Sequence, residues 1–324
     1  MISQKLKQLM CSVLIFGSVL TVSGCNSISY LSPFKSNNSS LFSLTEENNL
    51  YNSDSIASDL CVILDETKFN SNDISATGAG LFNTTNKETV YSKNAFLKLA
   101  PASLTKIMTA LVAIKYGNLE DEVVLGDEVV ITAPDAWLCK VSPGDKFTLE
   151  QLINAMLVYS GNDVAAAIAV HIAGSISEFS KMMNKEAKAL GATSSNFMNP
   201  HGLDEETHYS TIYDMYLIFN ECLKYDVFRD IISQTSYTCT YTNKDGIDVT
   251  ATWNNTNGYF TTQINPPDGI TVFGGKTGNT ENAGRCLVLL SESESGNSYI
   301  SVIFNAQDYN MLYEQMNVLL EKIK

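Results

Sequence analysis

The sequence predicts an α+β fold, and three observations lead to this class. An apolar segment typical of a buried strand comes first, a succession of helices fills the middle, and consecutive strands followed by one helix end the chain. Strands that come in runs, rather than alternating one by one with helices, favour an α+β or three-layer architecture. The 324 residues, of which 44% are hydrophobic and 17% charged, suffice for one large domain or two ordinary ones.

The individual elements are predicted from apolar runs, apolar periodicity and capping residues. A continuous apolar run at 60–64 favours a buried strand, and residues 89–91 favour a short partner strand. Pro101 precedes a helix that we expect to begin at Ser103 and to end at Gly117, since glycine commonly ends helices. The other predicted helices cover about 148–158, 162–173, 177–190, 211–223 and 310–323, and the other predicted strands cover 270–273, 285–290 and 299–304.

The charge balance and the hydropathy argue against two classes of protein. Lys and Arg number 21 against 35 Asp and Glu, which gives a net charge of −14. Because binding to a phosphate backbone needs a basic surface, we expect no nucleic-acid partner. Apart from the extreme N-terminus, no apolar run reaches the roughly 18 residues of a membrane-spanning helix, so a polytopic membrane protein is not expected.

The N-terminal residues 1–24 have the layout of a secretory signal peptide. Lys5 and Lys7 precede an apolar stretch, and small residues stand before Cys25. The string 22–25, Val-Ser-Gly-Cys, resembles the lipobox of bacterial lipoproteins, in which the cysteine carries a diacylglyceryl group, although Val22 stands where leucine is usual. We therefore expect lipid anchoring at Cys25 on the extracytoplasmic face of a bacterial cell membrane. An ordinary signal peptide with a chance cysteine is the alternative.

Residues 25–58 are expected to form a flexible tether between the lipid and a folded domain. Of the 33 residues at 26–58, 16 are Ser or Asn, and no apolar period runs through them. A loop packed against the domain is the alternative. The composition turns apolar around residue 59, so the folded domain is expected at 59–324.

The seven cysteines indicate neither a metal site nor a disulfide scaffold. With Cys11 in the signal segment and Cys25 assigned to lipid, an odd number remains, at wide spacings and without a CxxC pair. Buried free thiols are the expected state of the rest, and no metal ligands are assigned. The remaining cysteines are Cys61, Cys139, Cys222, Cys239 and Cys286.

The first candidate functional string is Ser103-Leu104-Thr105-Lys106. Residues three apart at a helix start lie on one face, so Ser103 and Lys106 are expected to be neighbours. A neutral amine can take the proton of a serine hydroxyl, and the partial positive charge of a helix N-terminus favours the neutral amine. On its own this pattern is more often an N-capping serine with a surface lysine.

The second string is Ser160-Gly161-Asn162, which lies between two predicted helices. A hydroxyl there could relay protons, and an amide could hold a peptide group of a substrate. Taken singly, it is more often an interhelical loop in which Asn162 caps the next helix.

The third string is Gly274-Gly275-Lys276-Thr277-Gly278, at the end of a predicted strand. Glycines allow a close backbone approach, and an edge strand can pair with an extended peptide. Lys276 and Thr277 offer a cation and a hydroxyl to a terminal carboxylate. A tight turn is the structural alternative.

The three strings occur in the order found in β-lactamases and penicillin-binding proteins. From about residue 59 to its end, the chain resembles the low-molecular-weight penicillin-binding proteins that are D-alanyl-D-alanine carboxypeptidases. This resemblance implies a β-lactamase/transpeptidase-like fold, with an antiparallel sheet flanked by helices and a helical subdomain. The strings that carry it, besides the three motifs, are PASLTKIMTAL (101–111), TLEQLINAMLVYSGNDVA (148–165), FMNPHGLD (197–204), HYSTIYDM (208–215) and GGKTGNTENAGRCLV (274–288).

The resemblance also implies an acyl-transfer cycle on peptidoglycan stem peptides. Ser103 would attack the carbonyl between two terminal D-alanines, Lys106 would act as base, and water would resolve the acyl-enzyme. β-Lactams are expected to acylate the same serine, and no metal or organic cofactor is implied. The other implied roles are proton transfer and substrate orientation for Ser160 and Asn162, substrate binding by Lys276, Thr277, Gly278 and Asn279, and an oxyanion hole from the backbone N–H groups of Ser103 and Asn279.

The chain departs from many relatives at one string and leaves other functions open. Relatives often carry Asn-x-Asn-Leu-Leu before the third motif, sometimes with arginine, whereas this chain has Asn-Thr-Asn-Gly-Tyr at 255–259. A β-lactamase, a D,D-endopeptidase and a non-enzymatic wall-peptide-binding lipoprotein are the alternative functions. A mechanism with histidine as base would need His201 or His208, and we interpret both, like His171, as structural.

Overall fold

The computed structural model describes residues 59–63, 73–261 and 264–323. The predicted signal peptide at 1–24, Cys25 and the tether at 25–58 lie outside these residues. Within them, no helix is both long and apolar enough to span a membrane. The strands are β1 (Gly78–Asn83), β2 (Glu88–Lys93), β3 (Glu122–Val124), β4 (Lys146–Thr148), β5 (Ser236–Thr242), β6 (Asp248–Asn254), β7 (Ile270–Thr280), β8 (Gly284–Ser293) and β9 (Ser298–Ala306), and the α-helices are α1 (Thr105–Tyr116), α2 (Leu149–Val158), α3 (Asn162–Ala173), α4 (Ile176–Ala189), α5 (Ile212–Cys222), α6 (Asp226–Ile232) and α7 (Tyr309–Leu320).

Two antiparallel sheets organise the described part of the chain. The larger sheet has the strand order β2-β1-β9-β8-β7, and the smaller one has the order β3-β4-β5-β6. Strand β7 has β8 on one side and no strand on its other side among the described residues. This edge carries the third motif, so its free backbone groups face the region where the site is found.

The five-stranded sheet is covered on both faces, which gives three layers. Successive strand residues point to opposite faces, and β8 shows this clearly. Leu287 and Leu289 pack with α7, whereas Cys286 and Val288 belong to the larger core formed with the other helices. Burial on both faces explains why β8 and β9 are apolar along most of their length.

Helix α1 is the central helix of the larger core. Its residues from Thr105 to Ala113 are all buried, including Lys106. It packs against α2, α3, α4 and α5. A short 3-10 turn at Ala102–Leu104 precedes it and contacts β7 and β8 of the larger sheet. Packed helices therefore hold Lys106 of the first motif from behind, while Ser103 is in the turn beside the sheet.

The second motif lies between two helices whose ends are well defined. A capping box begins α2, in which Thr148 accepts from the Gln151 N–H and Gln151 accepts from the Thr148 N–H. Tyr159 and Ser160 follow α2 directly, and α3 begins at Asn162. The loop is thus only a few residues long, which limits how far Ser160 can move.

The predicted α+β class and the long helices and strands are confirmed. The strands predicted at 270–273, 285–290 and 299–304 correspond to β7, β8 and β9, each longer than expected. The helix predicted from Ser103 to Gly117 begins with the 3-10 turn and becomes α-helical at Thr105. The helix expected at 177–190 is α4, and Gly191 follows it with φ of +82°.

The strand predicted at 60–64 is wrong for its described residues. Val62 makes only an isolated parallel bridge with Glu88, and the Tyr216 hydroxyl accepts from the Cys61 N–H at 2.9 Å. Cys61 is buried, but Val62 is 48% exposed, so the described part of the run is neither a strand nor buried throughout. The elements that the sequence analysis did not predict are β1, α6 and all four strands of the smaller sheet.

Candidate active site

A cleft of about 520 Å³ lies where β7 meets the helical core. It brings together five of the predicted site residues, which come from all three motifs. Lys106, Asn162 and Lys276 do not line the cleft but lie directly behind it, buried and hydrogen-bonded to its floor. The cleft is lined by Ser103, Asp135, Trp137, Tyr159, Ser160, Asn254, Asn255, Thr256, Thr277, Gly278, Asn279, Arg285, Tyr309, Leu312 and Tyr313.

The first motif forms a hydrogen-bonded pair in which Lys106 is fully buried. The Lys106 Nζ lies 2.8 Å from the Ser103 Oγ. It also lies 2.7 Å from the Asn162 Oδ1 and 2.7 Å from the backbone carbonyl oxygen of His201. Of these three partners, only the serine hydroxyl can donate a hydrogen bond. A neutral Lys106 amine that donates to both carbonyl oxygens therefore directs its lone pair at the Ser103 hydroxyl.

Two physical causes favour the neutral amine. Burial lowers the pKa of Lys106 well below its usual value, and the positive charge of nearby Lys276 lowers it further. Asp163 opposes this shift with a smaller effect. The pattern of a buried lysine with its pKa lowered by a second lysine is what the general base of an acyl-transfer enzyme needs.

The second lysine connects the second and third motifs. The Lys276 Nζ donates to the Ser160 Oγ at 2.8 Å and to the Thr277 carbonyl oxygen at 2.9 Å. Burial lowers the pKa of Lys276 to about 7, so its charge changes near neutral pH. The Thr277 hydroxyl, on the cleft side, lies 2.6 Å from the Thr256 hydroxyl.

The backbone of the second motif is held in an uncommon conformation. Ser160 has φ of +73°, in the left-handed region that non-glycine residues rarely adopt. A Cβ on Gly161 would come within 2.4 Å of the Cys139 Sγ, so only glycine fits. The Asn162 N–H donates to the Trp137 carbonyl oxygen at 2.7 Å, which fixes the loop to the facing wall of the cleft.

Close backbone contacts hold the first motif against the third. A Cβ on Gly278 would lie 3.2 Å from the Ser103 backbone nitrogen and 3.1 Å from the Pro101 carbonyl oxygen. Glycine thus lets β7 pass directly beside the Ser103 N–H. A close approach of this kind is one condition for an oxyanion hole formed by the N–H groups of Ser103 and Asn279.

The histidines make structural contacts, as interpreted from the sequence. The Met198 N–H donates to the His208 Nδ1 at 3.1 Å, so the ring hydrogen lies on Nε2, which is 2.8 Å from the Thr105 hydroxyl. Burial lowers the pKa of His208 to about 4 and that of His201 to about 3, so both rings are neutral. His171 lies near Asp121 at 3.4 Å. Lys106, not a histidine, is the basic side chain bonded to Ser103.

Several residues of the cleft were not assigned a role from the sequence. They come from segments far apart in the chain, and the described residues contain no group of three or more candidate metal ligands. Arg285 is one of only two arginines in the chain, which was the one available signal for it. The unassigned lining residues include Asp135, Trp137, Thr256, Arg285, Tyr309 and Tyr313.

The buried lysine charge should make stability depend on pH with a defined sign. The pKa of Lys276 is about 7 in the folded chain and 10.5 in the unfolded one, so between these values the unfolded state binds more protons. The free energy of unfolding should therefore rise with pH, by at most about 1.4 kcal/mol per pH unit. Denaturant unfolding of Lys276→Met should show a shallower rise between about pH 7.5 and 9.5.

Lys181→Met is the matched control, because Lys181 is mostly exposed and pairs only with Glu178. Its stability should follow the wild-type pH dependence. Equal pH slopes for the wild type and Lys276→Met would show that Lys276 keeps an ordinary pKa in the folded protein.

The fold and the three converging motifs define the penicillin-recognising class of serine acyl-enzymes. The sequence matches the peptidase family described as D-alanyl-D-alanine carboxypeptidase over residues 65–308. The chain belongs to this family. A solved structure of a Streptomyces DD-transpeptidase is similar, with a TM-score of 0.71 and 28% identity over 77% of this chain and 97% of that one.

Curated relatives give the same assignment. D-alanyl-D-alanine carboxypeptidase DacF of Bacillus subtilis is 35% identical over 240 residues, which are 72% of this chain and 58% of that protein. DacC of Escherichia coli is 32% identical over 243 residues, which are 70% of this chain and 56% of that protein. The chain thus spans little more than half the length of these relatives.

Proposed function

We propose that this chain is a serine-type D-alanyl-D-alanine carboxypeptidase that removes the terminal D-Ala from peptidoglycan stem peptides. The observation that carries the proposal is the buried Lys106 Nζ, which lies 2.8 Å from the Ser103 Oγ and 2.7 Å from two carbonyl oxygens. Family membership and the relatives' names support the substrate class.

The acylation step follows from this arrangement. Ser103 Oγ attacks the carbonyl carbon between the two D-alanines as its proton passes to the Lys106 Nζ. The backbone N–H groups of Ser103 and Asn279 stabilise the oxyanion. The C–N bond then breaks, the proton reaches the leaving amine with help from the Ser160 hydroxyl, and free D-Ala departs. Ser103 is left as an ester of the shortened peptide.

Deacylation uses the same groups in reverse. A water molecule attacks the ester carbonyl as Lys106 takes its proton, and the C–O bond to Ser103 breaks. The serine oxygen recovers the proton, and the peptide leaves with a new carboxylate. Asn162 keeps the Lys106 amine aimed at Ser103 in both half-reactions.

Substrate binding is assigned to the free edge of β7. An extended peptide can add to this edge through backbone hydrogen bonds, and Gly278 lets the edge lie directly beside Ser103. We assign the terminal carboxylate of such a peptide to the Thr277 hydroxyl, which lines the cleft, with the buried Lys276 amine behind it as a source of positive charge. Because a β-lactam carries a similar carboxylate beside a reactive carbonyl, it should acylate Ser103.

The direct test is to incubate the purified chain with a peptide that ends in D-Ala-D-Ala and to measure free D-Ala. A fluorescent penicillin should label the chain in parallel. If the chain neither releases D-Ala nor becomes labelled, the proposal is overturned. Rapid turnover of a chromogenic cephalosporin would favour a β-lactamase, and cleavage of cross-linked peptidoglycan would favour an endopeptidase.

Arg285 is expected to strengthen binding of the terminal carboxylate. It lies opposite Asn279 across the β7–β8 pair, lines the cleft, and has no ion pair within the described residues. Arg285→Gln should lower kcat/KM by about 10- to 100-fold for a peptide acid, as expected for loss of a charge-assisted hydrogen bond. The same peptide with a C-terminal amide should be hydrolysed poorly by both proteins.

Arg229→Gln provides the matched control, since Arg229 pairs with Asp226 and does not line the cleft. Its kinetic constants should equal those of the wild type. An Arg285→Gln protein with an unchanged acid-to-amide ratio would place the carboxylate elsewhere.

We further propose that the protein is anchored by lipid at Cys25 on the extracytoplasmic face of the cell membrane. The basic start, the apolar stretch and the lipobox-like string support this location. Two acyl chains give stable membrane attachment without a spanning helix, and the substrate is found on the same side.

A further inference from the structure

One short segment, residues 199–204, is hydrogen-bonded both to the base of the first motif and to the strand of the third. Near its middle, the His201 carbonyl oxygen lies 2.7 Å from the Lys106 Nζ. At its end, the Asp204 carboxylate accepts hydrogen bonds from the last residue of β7 and from the turn that follows it. The segment therefore links two parts of the site that are far apart in sequence.

The Asp204 side chain itself makes the link to β7. Its Oδ1 accepts from the Thr280 hydroxyl at 2.6 Å, and its Oδ2 accepts from the Asn282 N–H at 3.1 Å. The Thr280 side chain is buried, and its hydroxyl also accepts from the Ala283 N–H at 3.1 Å. Because this hydroxyl both donates and accepts, and because threonine is stiff at its β-carbon, its orientation is fixed. The carboxylate thus holds the end of β7 and the turn into β8 together.

The rest of the segment is braced against α1 and within itself. The Thr109 hydroxyl, on α1, donates to the Pro200 carbonyl oxygen at 2.6 Å. The Asn199 side chain is buried, and its Oδ1 accepts from the Gly202 N–H at 2.7 Å. Its amide nitrogen is also hydrogen-bonded within the same part of the chain. Asp204 therefore attaches the end of β7 to a segment that is itself fixed on the helix of the base.

We infer that Asp204 is a positioning residue for the oxyanion hole and acts through Thr280 on the backbone N–H of Asn279. Asn279 directly precedes Thr280 in β7, and its N–H must lie near that of Ser103 if both are to bond one oxyanion. Hydrogen bonds to β8 hold β7 from one side, and in the described part of the chain no strand lies on its other side. The Asp204 bonds supply a second attachment there. This inference rests on the proposed carboxypeptidase function.

The test removes the bond between the hydroxyl and the carboxylate from either side. Thr280→Val should lower kcat for a D-Ala-D-Ala peptide by about 10- to 100-fold with little change in KM, because a displaced oxyanion donor weakens the transition state rather than substrate binding. Acylation by a fluorescent penicillin should slow by a similar factor. Thr280→Ser keeps the hydroxyl and should restore most of kcat. Asp204→Ala should match Thr280→Val, and the double variant should be hardly slower than either single one.

Thr242→Val is the matched control, because the Thr242 hydroxyl donates to the Asp248 carboxylate at 3.1 Å outside the cleft. It should keep the wild-type kcat. If Thr280→Val does not fold, Asp204→Asn replaces it: this variant keeps an acceptor for Thr280, loses the one for Asn282, and should show an intermediate kcat. A wild-type kcat in the folded variants, or equal losses in Thr280→Ser and Thr280→Val, would overturn the positioning role. Absence of D-Ala release from the wild type would instead overturn the proposed function itself.

Discussion

Ser103→Ala should lose all covalent labelling by a fluorescent penicillin and should release D-Ala at least about 10⁴-fold more slowly than the wild type. The Ser103 oxygen is the atom that lies 2.8 Å from the Lys106 Nζ. Without it, the cleft contains no other oxygen nucleophile aligned with that amine. Gel fluorescence and a coupled assay for free D-Ala measure the two losses.

The folded structure should tolerate this substitution. Ser103 lies in the short 3-10 turn, makes no capping hydrogen bond there, and alanine fills nearly the same volume. Thermal unfolding should therefore change little. Ser233→Ala, which alters an exposed serine bonded only to the Asp230 carbonyl oxygen, should keep full activity. Labelling of Ser103→Ala at the wild-type rate would show that another residue is acylated.

Gly202→Ala is the second substitution with a large expected effect. Gly202 has φ of +86°, and a Cβ there would lie 1.9 Å from the Ala102 carbonyl oxygen, next to Ser103. The chain must move at the residue that precedes the nucleophile. We expect a loss of about 2–4 kcal/mol in the free energy of unfolding and a fall of about 100-fold in kcat, because a shift of about 1 Å at a reacting group has that cost.

Gly174→Ala separates the clash from the backbone strain. Gly174 has φ of +75°, but a Cβ there would meet nothing within 4 Å. It should lose only about 1 kcal/mol and no activity. If the two variants behave alike, the contact between Gly202 and Ala102 does not position Ser103. Denaturant unfolding and steady-state kinetics on both variants decide this.

The chemistry-bearing residues could be predicted because their signals are local. Ser103 and Lys106 are three residues apart on one helix, and the other two motifs are unbroken strings. Long periodic elements such as α1 and β8 were predictable for the same reason. What the motifs alone did not show is that the Lys106 amine is also bonded to the His201 carbonyl oxygen, which lies 95 residues away in sequence.

The remaining parts depend on tertiary contacts that leave little trace in sequence. Strands β3 and β4 have three residues each, too short for an alternating pattern. Strand β1 contains two glycines and is wholly buried, which removes the usual strand pattern. The cleft walls bring Asp135, Arg285 and Tyr309 together, and no spacing rule connects such distant positions.

Two residues that flank or form the reactive groups have left-handed backbone angles: Ala102, with φ of +48°, and Ser160, with φ of +73°. Each such residue raises the energy of the folded chain by about 1–2 kcal/mol, and the packed surroundings must compensate. Glycine at position 102 would relieve this energy, yet it would also loosen the backbone that presents the nucleophile. A substitution at this position that raises the free energy of unfolding would therefore lower the catalytic rate. Thermostabilising changes are better sought far from the cleft.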